Sequence, residues 1–176
     1  MVKVKPKLTV SEVTLYAVLG SLTFGAKLVM MWLPNIEPVS LFVMLFAVTF
    51  GYKAIYPIYV YVFLEIIVYG FNLWSINYLY VWVALAFAAW CFRGMTHPLG
   101  WAVLSGIFGL LFGALCAPVY LFVGGVHAAV AWWVSGIPYD MVHCVSNFVI
   151  ALVLFLPLRR IMEQLNCRML HKRNNQ

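Results

Sequence analysis

The chain alternates between long apolar segments and short polar interruptions, and this pattern predicts an all-helical protein. About 20 apolar residues are enough for a helix to cross the hydrocarbon core of a bilayer, so each long segment is a candidate membrane span. Two adjacent glycines and a shorter apolar stretch separate the last two segments, which predicts a short external helix there. The predicted spans are residues 10–33, 39–50, 54–70, 78–93, 99–122 and 138–158, with the external helix at residues 126–135.

Composition fixes the environment of these helices. The chain has 176 residues, of which 65% are hydrophobic and only 9% are charged. Such a chain has too little polar surface to stay in solution. We therefore expect an all-α integral membrane protein in which six transmembrane helices form one compact bundle, a single membrane domain over residues 1–176.

The net charge of +6 could suggest a nucleic-acid partner, but the positions of the cations argue against one. Ten of the eleven fall in the two terminal tails or in the two turns predicted on the same side, and Lys27 is the exception. Positively charged segments stay on the cytoplasmic side of a membrane. Both termini are therefore predicted to be cytoplasmic, which requires an even number of spans.

The last predicted span carries the most informative polar pattern. At about 100° per residue, Asp140, His143 and Asn147 share one helix face, and from Ala151 onward that face is apolar. A polar stripe that stops halfway along a helix is expected of a pocket closed at one end. The alternative is that these side chains only hydrogen-bond neighbouring helices.

Further polar and aromatic residues lie near the predicted outer ends of the helices. Glu65 should be hydrogen-bonded by tyrosines, be protonated or meet a ligand, because an unpaired buried carboxylate is costly. Lys27 is expected to reach outward to the membrane surface, or else to face an anionic ligand group. The candidate substrate-binding residues are Asp140, His143, Asn147, Tyr139, Trp133, Glu65, Tyr69, Asn72, Trp74 and Asn35.

Small residues recur at helical spacing on two of the predicted spans. Ala17, Ser21 and Gly25, with Gly20 beside them, make a smooth face on the first span, which suits packing within the bundle or against a partner subunit. The fifth span carries a similar face, for which internal packing is expected. Its members are Ser105, Gly109, Gly113 and Ala117.

Several functions lack their sequence signatures. No ATP-binding, metalloprotease or serine-hydrolase motif is present, and the four cysteines are too scattered for a zinc site, so neither a metal nor a cofactor is predicted. A small intramembrane enzyme using His143 and Asp140 is one alternative, although no nucleophile stands beside them. A self-sufficient secondary transporter is another, although no internal repeat is evident.

The chain resembles the substrate-binding S components of energy-coupling factor vitamin transporters. The resemblance rests on a basic N-terminus, six short spans in under 200 residues, the small-residue face of the first span and three sequence stretches. These stretches are LPNIEPVSLF, WAVLSGIFGLLFGALCAP and GIPYDMVHCVSNFVIALVLFLPL.

This resemblance implies a multi-pass protein of a prokaryotic plasma membrane that binds a vitamin tightly and is not itself an enzyme. The implied partners are a membrane coupling subunit and two ABC-type ATPases. Ala17 and Ser21 match the family's A-x-x-x-A contact with the coupling subunit, with serine in the second place, and Gly20 and Gly25 extend it. Cobalamin is the first expected substrate, with pyridoxine or hydroxymethylpyrimidine, a thiamine precursor, second.

Overall fold

Helices and short turns make up the parts of the chain that the computed structural model describes, residues 8–33 and 36–174, and no β-strand occurs in them. The predicted site residue Asn35 lies outside these ranges. The elements are α1 (Val10–Met30), α2 (Val39–Phe50), a short 3₁₀ helix (Gly51–Ala54), α3 (Ile55–Tyr69), α4 (Leu73–Cys91) and α5 (Pro98–Asn174).

Two helices begin at capping boxes, in which a side chain and the backbone N–H of the first turn bond reciprocally. In α1 the Thr9 hydroxyl accepts from the N–H of Glu12, whose carboxylate accepts from the N–H of Thr9. In α4 the Asn72 side-chain oxygen accepts from the N–H of Ser75, and the Ser75 hydroxyl oxygen accepts from the N–H of Asn72. This second cap starts α4 at Leu73, five residues before the predicted span, and shortens the preceding turn accordingly.

The tract α5 is a hairpin of two helical arms, residues 98–123 and 126–174. Non-helical backbone at Gly124 and Gly125 separates them, and Gly125 has φ 71°, a conformation that favours glycine. The ring of Trp101 in the first arm stacks on Phe155 in the second with centroids 4.2 Å apart, so the arms run antiparallel. The break predicted at the two glycines is therefore where the chain reverses.

The second arm differs from the sequence prediction. The predicted external helix, residues 126–135, continues without interruption through Pro138 into the last predicted span. An apolar setting favours this continuity, because ending a helix there would leave backbone polar groups unpaired, whereas one proline is tolerated. At 1.5 Å per residue the arm is roughly 70 Å long, more than twice a bilayer's hydrocarbon core.

Two ion pairs fix the directions of α1 and α3. Glu12 near the start of α1 pairs with Lys53 just before α3, and Lys27 near the end of α1 pairs with Glu65 near the end of α3. The two helices therefore run parallel. We call the end of the bundle that holds Lys27 and Glu65 the upper end, and the end that holds Glu12 and Lys53 the lower end.

Hydrogen bonds fix the direction of the second arm of α5 relative to α2. The Asn147 amide donates to the Ser40 hydroxyl at 3.0 Å, and the Asn166 amide donates to the Thr49 carbonyl at 3.1 Å. These helices also run parallel to each other, from the upper end to the lower. Successive helical segments thus alternate in direction through the bundle.

The short helix α2 lies at the centre of the bundle. Nine of its twelve residues are buried, including its Ser40, so it is enclosed on all sides. A helix that is apolar all round is stable only when others surround it. Fully buried Trp82 of α4, Trp101 of the first arm and Phe155 of the second complete the core.

The exterior of the bundle is largely apolar, with large exposed side chains such as Phe63, Ile67, Phe87 and Val145. Soluble monomers rarely show extended apolar surfaces. Four helical stretches of the described chain are long and apolar enough to cross a membrane: Val10–Met30, Val39–Tyr69, Leu73–Cys91 and Pro98–Met169. These are the features of a membrane protein.

Candidate ligand-binding site

A cavity of about 590 Å³ opens at the upper end of the bundle. The ends of α1 and α3, the loop before α2 and the start of α4 enclose it, and each arm of α5 contributes one aromatic side chain. Its volume lies within the range of about 300–1,000 Å³ that is usual for small-molecule sites. The polar and aromatic residues that line it are Lys27, Glu37, Glu65, Tyr69, Asn72, Trp74, Ser75, Tyr78, Phe112 and His143.

An ion-pair cluster centred on Lys27 forms one part of the lining. Its ammonium nitrogen lies 2.9 Å from a Glu65 carboxylate oxygen and 3.9 Å from one of Glu37. It also donates hydrogen bonds to the hydroxyls of Tyr78 at 3.2 Å and Tyr61 at 3.4 Å. The predicted outward reach of Lys27 is therefore wrong: the side chain turns into the bundle, where two carboxylates offset its loss of hydration.

The cluster holds more negative than positive charge when its groups are ionised, with two glutamates for one lysine. Glu65 takes the close contact with Lys27. The Glu37 side chain is only 14% exposed but lies farther from the lysine. Burial therefore raises the pKa of the Glu37 carboxyl, an effect that the charge of Lys27 partly opposes.

Aromatic rings form another part of the lining. Trp74 and Phe112 stack with centroids 6.4 Å apart and an angle of 19° between their planes, and the Phe112 and His143 rings lie 5.0 Å apart. Outside the cavity, Trp132 packs edge-on against Trp74 at 5.5 Å and stacks on Tyr120 at 4.0 Å. The aromatic lining is thus supported from behind, so its orientation is fixed before any ligand arrives.

His143 brings an unused polar atom to the cavity. The residue is 3% exposed, and its Nε2 has no hydrogen-bond partner among the residues that the structure describes. Buried polar atoms are almost always hydrogen-bonded, and an exception needs an explanation. A ligand in the adjoining cavity would provide one.

The other two members of the predicted polar stripe join helices together. The Asp140 carboxylate accepts from the backbone N–H of Gly113, with oxygens at 3.1 and 3.2 Å. The Asn147 amide bonds Ser40 and also donates to the Ser105 carbonyl at 3.4 Å. Both side chains are buried, and neither lines the cavity. The stripe therefore contributes only His143 to it.

Some of the remaining predicted site residues line the cavity and others do not. Glu65, Tyr69, Asn72 and Trp74 line the cavity, although the Asn72 side-chain oxygen is also occupied by the cap of α4. Tyr139 and Trp133 are exposed and do not line it. The adjacent Trp132, rather than Trp133, supports the aromatic lining.

The sequence analysis did not identify Tyr78 or Phe112 as site residues, and it placed Lys27 beside a ligand only as the second of two alternatives. One signal could have found the charged pair. Lys27 and Glu65 are each about one turn from the upper end of an apolar helix, and opposite charges at one depth in a membrane are expected to pair. Phe112 carries no such signal, because an apolar segment gives it no distinction from its neighbours.

The two faces of small residues differ in what they pack against. A Cβ on Gly20 would lie 2.6 Å from the Pro57 carbonyl oxygen, so this glycine is needed for the packing of α1 on α3. Ala17 and Ser21 are exposed, and Gly25 has open space beside it. In the first arm of α5, a Cβ on Gly109 would lie 2.7 Å from the His143 carbonyl oxygen, as expected of internal packing.

No family model, curated protein or solved structure matches the chain. The function is therefore inferred from the cavity and its residues.

Proposed function

We propose that the chain is the vitamin-binding S component of an energy-coupling factor importer. The observation that carries this proposal is the cavity at the upper end, which combines a buried charged cluster, an aromatic lining and a histidine nitrogen with no partner among the described residues. Ligand sites are typically apolar clefts with a few convergent polar groups. A bundle held together only for structure has no need of such a cavity.

The proposed topology has six membrane crossings, with both termini in the cytoplasm of a prokaryotic cell and the cavity facing outward. The alternation in direction of successive segments supports it, with each arm of α5 counted as one crossing. The positions of Lys53 and Arg93 also support it, because both lie in turns at the lower end, where cytoplasmic cations are expected.

The proposed partners are a membrane coupling subunit and two ABC-type ATPases. Exposed Ala17 and Ser21, with the open space beside Gly25, support a helix contact of this kind, since small residues let helix backbones approach closely. Gly20 is not part of that proposed surface, because it already packs on α3.

Among the expected substrates, the volume of the cavity favours the smaller ones. A single-ring molecule such as pyridoxine or hydroxymethylpyrimidine fits within about 590 Å³. Cobalamin is a corrin macrocycle much larger than either of these, and a cavity of this volume would not enclose all of it. The geometry gives less support to an intramembrane enzyme, because the Asp140 carboxylate bonds Gly113 rather than orienting His143.

Two measurements test the proposal. The purified chain should bind one member of a vitamin panel with submicromolar affinity in detergent. Vesicles that contain the chain together with a coupling subunit and its ATPases should accumulate that vitamin only when ATP is supplied. Failure of every vitamin to bind, with the chain alone and with the assembled complex, would contradict the proposal.

A further inference from the structure

The charge of the cavity restricts the ligand. Glu65 is paired with Lys27 at 2.9 Å, whereas the largely buried Glu37 lies 3.9 Å from the same lysine and has no closer cation among the described residues. A buried carboxylate without a close counter-charge is costly, and a cationic ligand would relieve that cost. An anionic ligand would add a third negative group.

The uncharged part of the lining restricts the shape of the ligand. The nearly parallel Trp74 and Phe112 rings present aromatic surface to the cavity. Flat rings stack well on such surfaces, and among aromatic side chains tryptophan attracts cations most strongly. Next to them, His143 Nε2 has no partner in the described part of the chain and can form one hydrogen bond with a ring substituent.

We propose that the cavity binds a flat nitrogen heterocycle that carries one positive charge. The ring lies against Trp74 and Phe112, its charge is held by Glu37, and a polar substituent bonds His143 Nε2. The inference rests on the proposed function, because it specifies the chemical class of the substrate of that same site. The inference also excludes anionic vitamins as the preferred ligands of the cavity.

A matched ligand series tests the inference on the purified full chain by isothermal titration calorimetry. Pyridoxamine, pyridoxine and 4-pyridoxate share one ring and carry a cationic, a neutral and an anionic substituent. The cation 1-methylnicotinamide, neutral nicotinamide and the anion nicotinate form a second such series, and thiamine adds a cation of a different ring system. In each series that binds, we expect the cation to bind tightest and the anion weakest.

Variants of two glutamates test whether the preference for a cationic ligand arises in the cavity. Glu37→Gln should weaken binding of the cation by roughly tenfold to a hundredfold, the usual value of a hydrogen bond to a charged group. Glu163→Gln is the matched control, because it makes the same charge change on the exposed lower part of the second arm and should have no effect. Glu37→Asp, which keeps the charge, should preserve the order of the series.

The outcomes are distinguishable. Tight binding of an anionic vitamin, or equal binding of all three members of a series, would overturn the inference and leave the proposed function standing. Cation binding that does not change in Glu37→Gln would overturn it as well. If no vitamin of any charge binds, both the inference and the proposed function fail.

Discussion

The Lys27–Glu65 ion pair allows the most quantitative prediction. We consider Lys27→Met, which removes the charge and keeps most of the side-chain volume. The two side chains are 20% and 9% exposed, so the pair is largely buried and water screens it little. At 2.9 Å and an effective dielectric constant of about 20, the attraction between the charges is roughly 6 kcal/mol, from which the cost of dehydrating both groups must be subtracted.

Removing the lysine should leave the Glu65 carboxylate buried without its partner. The expected loss in free energy of unfolding is about 3–5 kcal/mol, as for other buried pairs that lose one member. Glu65→Gln in the Lys27→Met background should recover part of this loss. The coupling energy between the two substitutions should be about 1–3 kcal/mol.

Reversible unfolding in mixed detergent micelles measures all four members of this double-mutant cycle. The control is Lys53→Met, which breaks the Lys53–Glu12 pair at the lower end. Both lysine variants should lose stability, but only Lys27→Met should also change ligand affinity. Additivity of the Lys27 and Glu65 substitutions within about 0.5 kcal/mol would refute the pairing described here.

Three further predictions concern the cavity and its surroundings. His143→Phe should leave the free energy of unfolding almost unchanged and weaken ligand binding roughly tenfold, because His143 Nε2 bonds no other group among the described residues. Asn147→Leu should cost about 1 kcal/mol of stability in an unfolding titration and leave affinity unchanged, because the Asn147 amide bonds two other helices. Gly20→Leu should prevent folding, as judged by size-exclusion chromatography, whereas Ser21→Leu should fold, bind ligand and fail in ATP-dependent uptake with the coupling complex. Burial raises the pKa of Glu37, so its carboxyl should become protonated at a higher pH than that of an ordinary glutamate. Cation affinity should therefore fall as the pH decreases through that range, and Glu37→Gln should remove this dependence in binding titrations.

Each of these three predictions has an outcome that would contradict it. Loss of folding in His143→Phe would mean that the histidine is structural. Normal uptake by Ser21→Leu would exclude the exposed face of α1 as the coupling surface. Cation affinity that does not change between neutral and mildly acidic pH would argue against a ligand contact at Glu37.

Much of the helical architecture follows from the hydrophobic pattern. The range predicted for the second segment, residues 39–50, coincides with α2, and the break at Gly124 and Gly125 occurs where the chain reverses. The pattern gave less information at residues 126–138, where Trp132, Trp133 and Pro138 suggested a separate external helix. An unbroken helix keeps the backbone of this apolar stretch hydrogen-bonded, and that requirement outweighs the local effect of one proline.

The sequence predicted only part of the site, and the reason for this limit is physical. A polar residue in an apolar helix must find a partner, but the sequence does not say whether that partner is another helix or a ligand. Asp140 and Asn147 bond other helices, whereas Nε2 of His143 on the same face lies beside the cavity with no partner in the part of the chain that the structure describes. The position of the cavity depends on how α1, α3 and α4 meet at the upper end, which no single-helix pattern contains.

The most direct test of a ligand site at the upper end compares two tryptophans of α4. Trp74 lines the cavity and Trp90 lies at the lower end, and the two residues are similarly exposed, at 41% and 42%. Calorimetric titration of Trp74→Ala and Trp90→Ala with the vitamin that binds the wild type should show at least a tenfold loss of affinity for the first and no change for the second. Equal affinities of the two variants, or a loss confined to Trp90→Ala, would contradict the assignment of the cavity as the binding site.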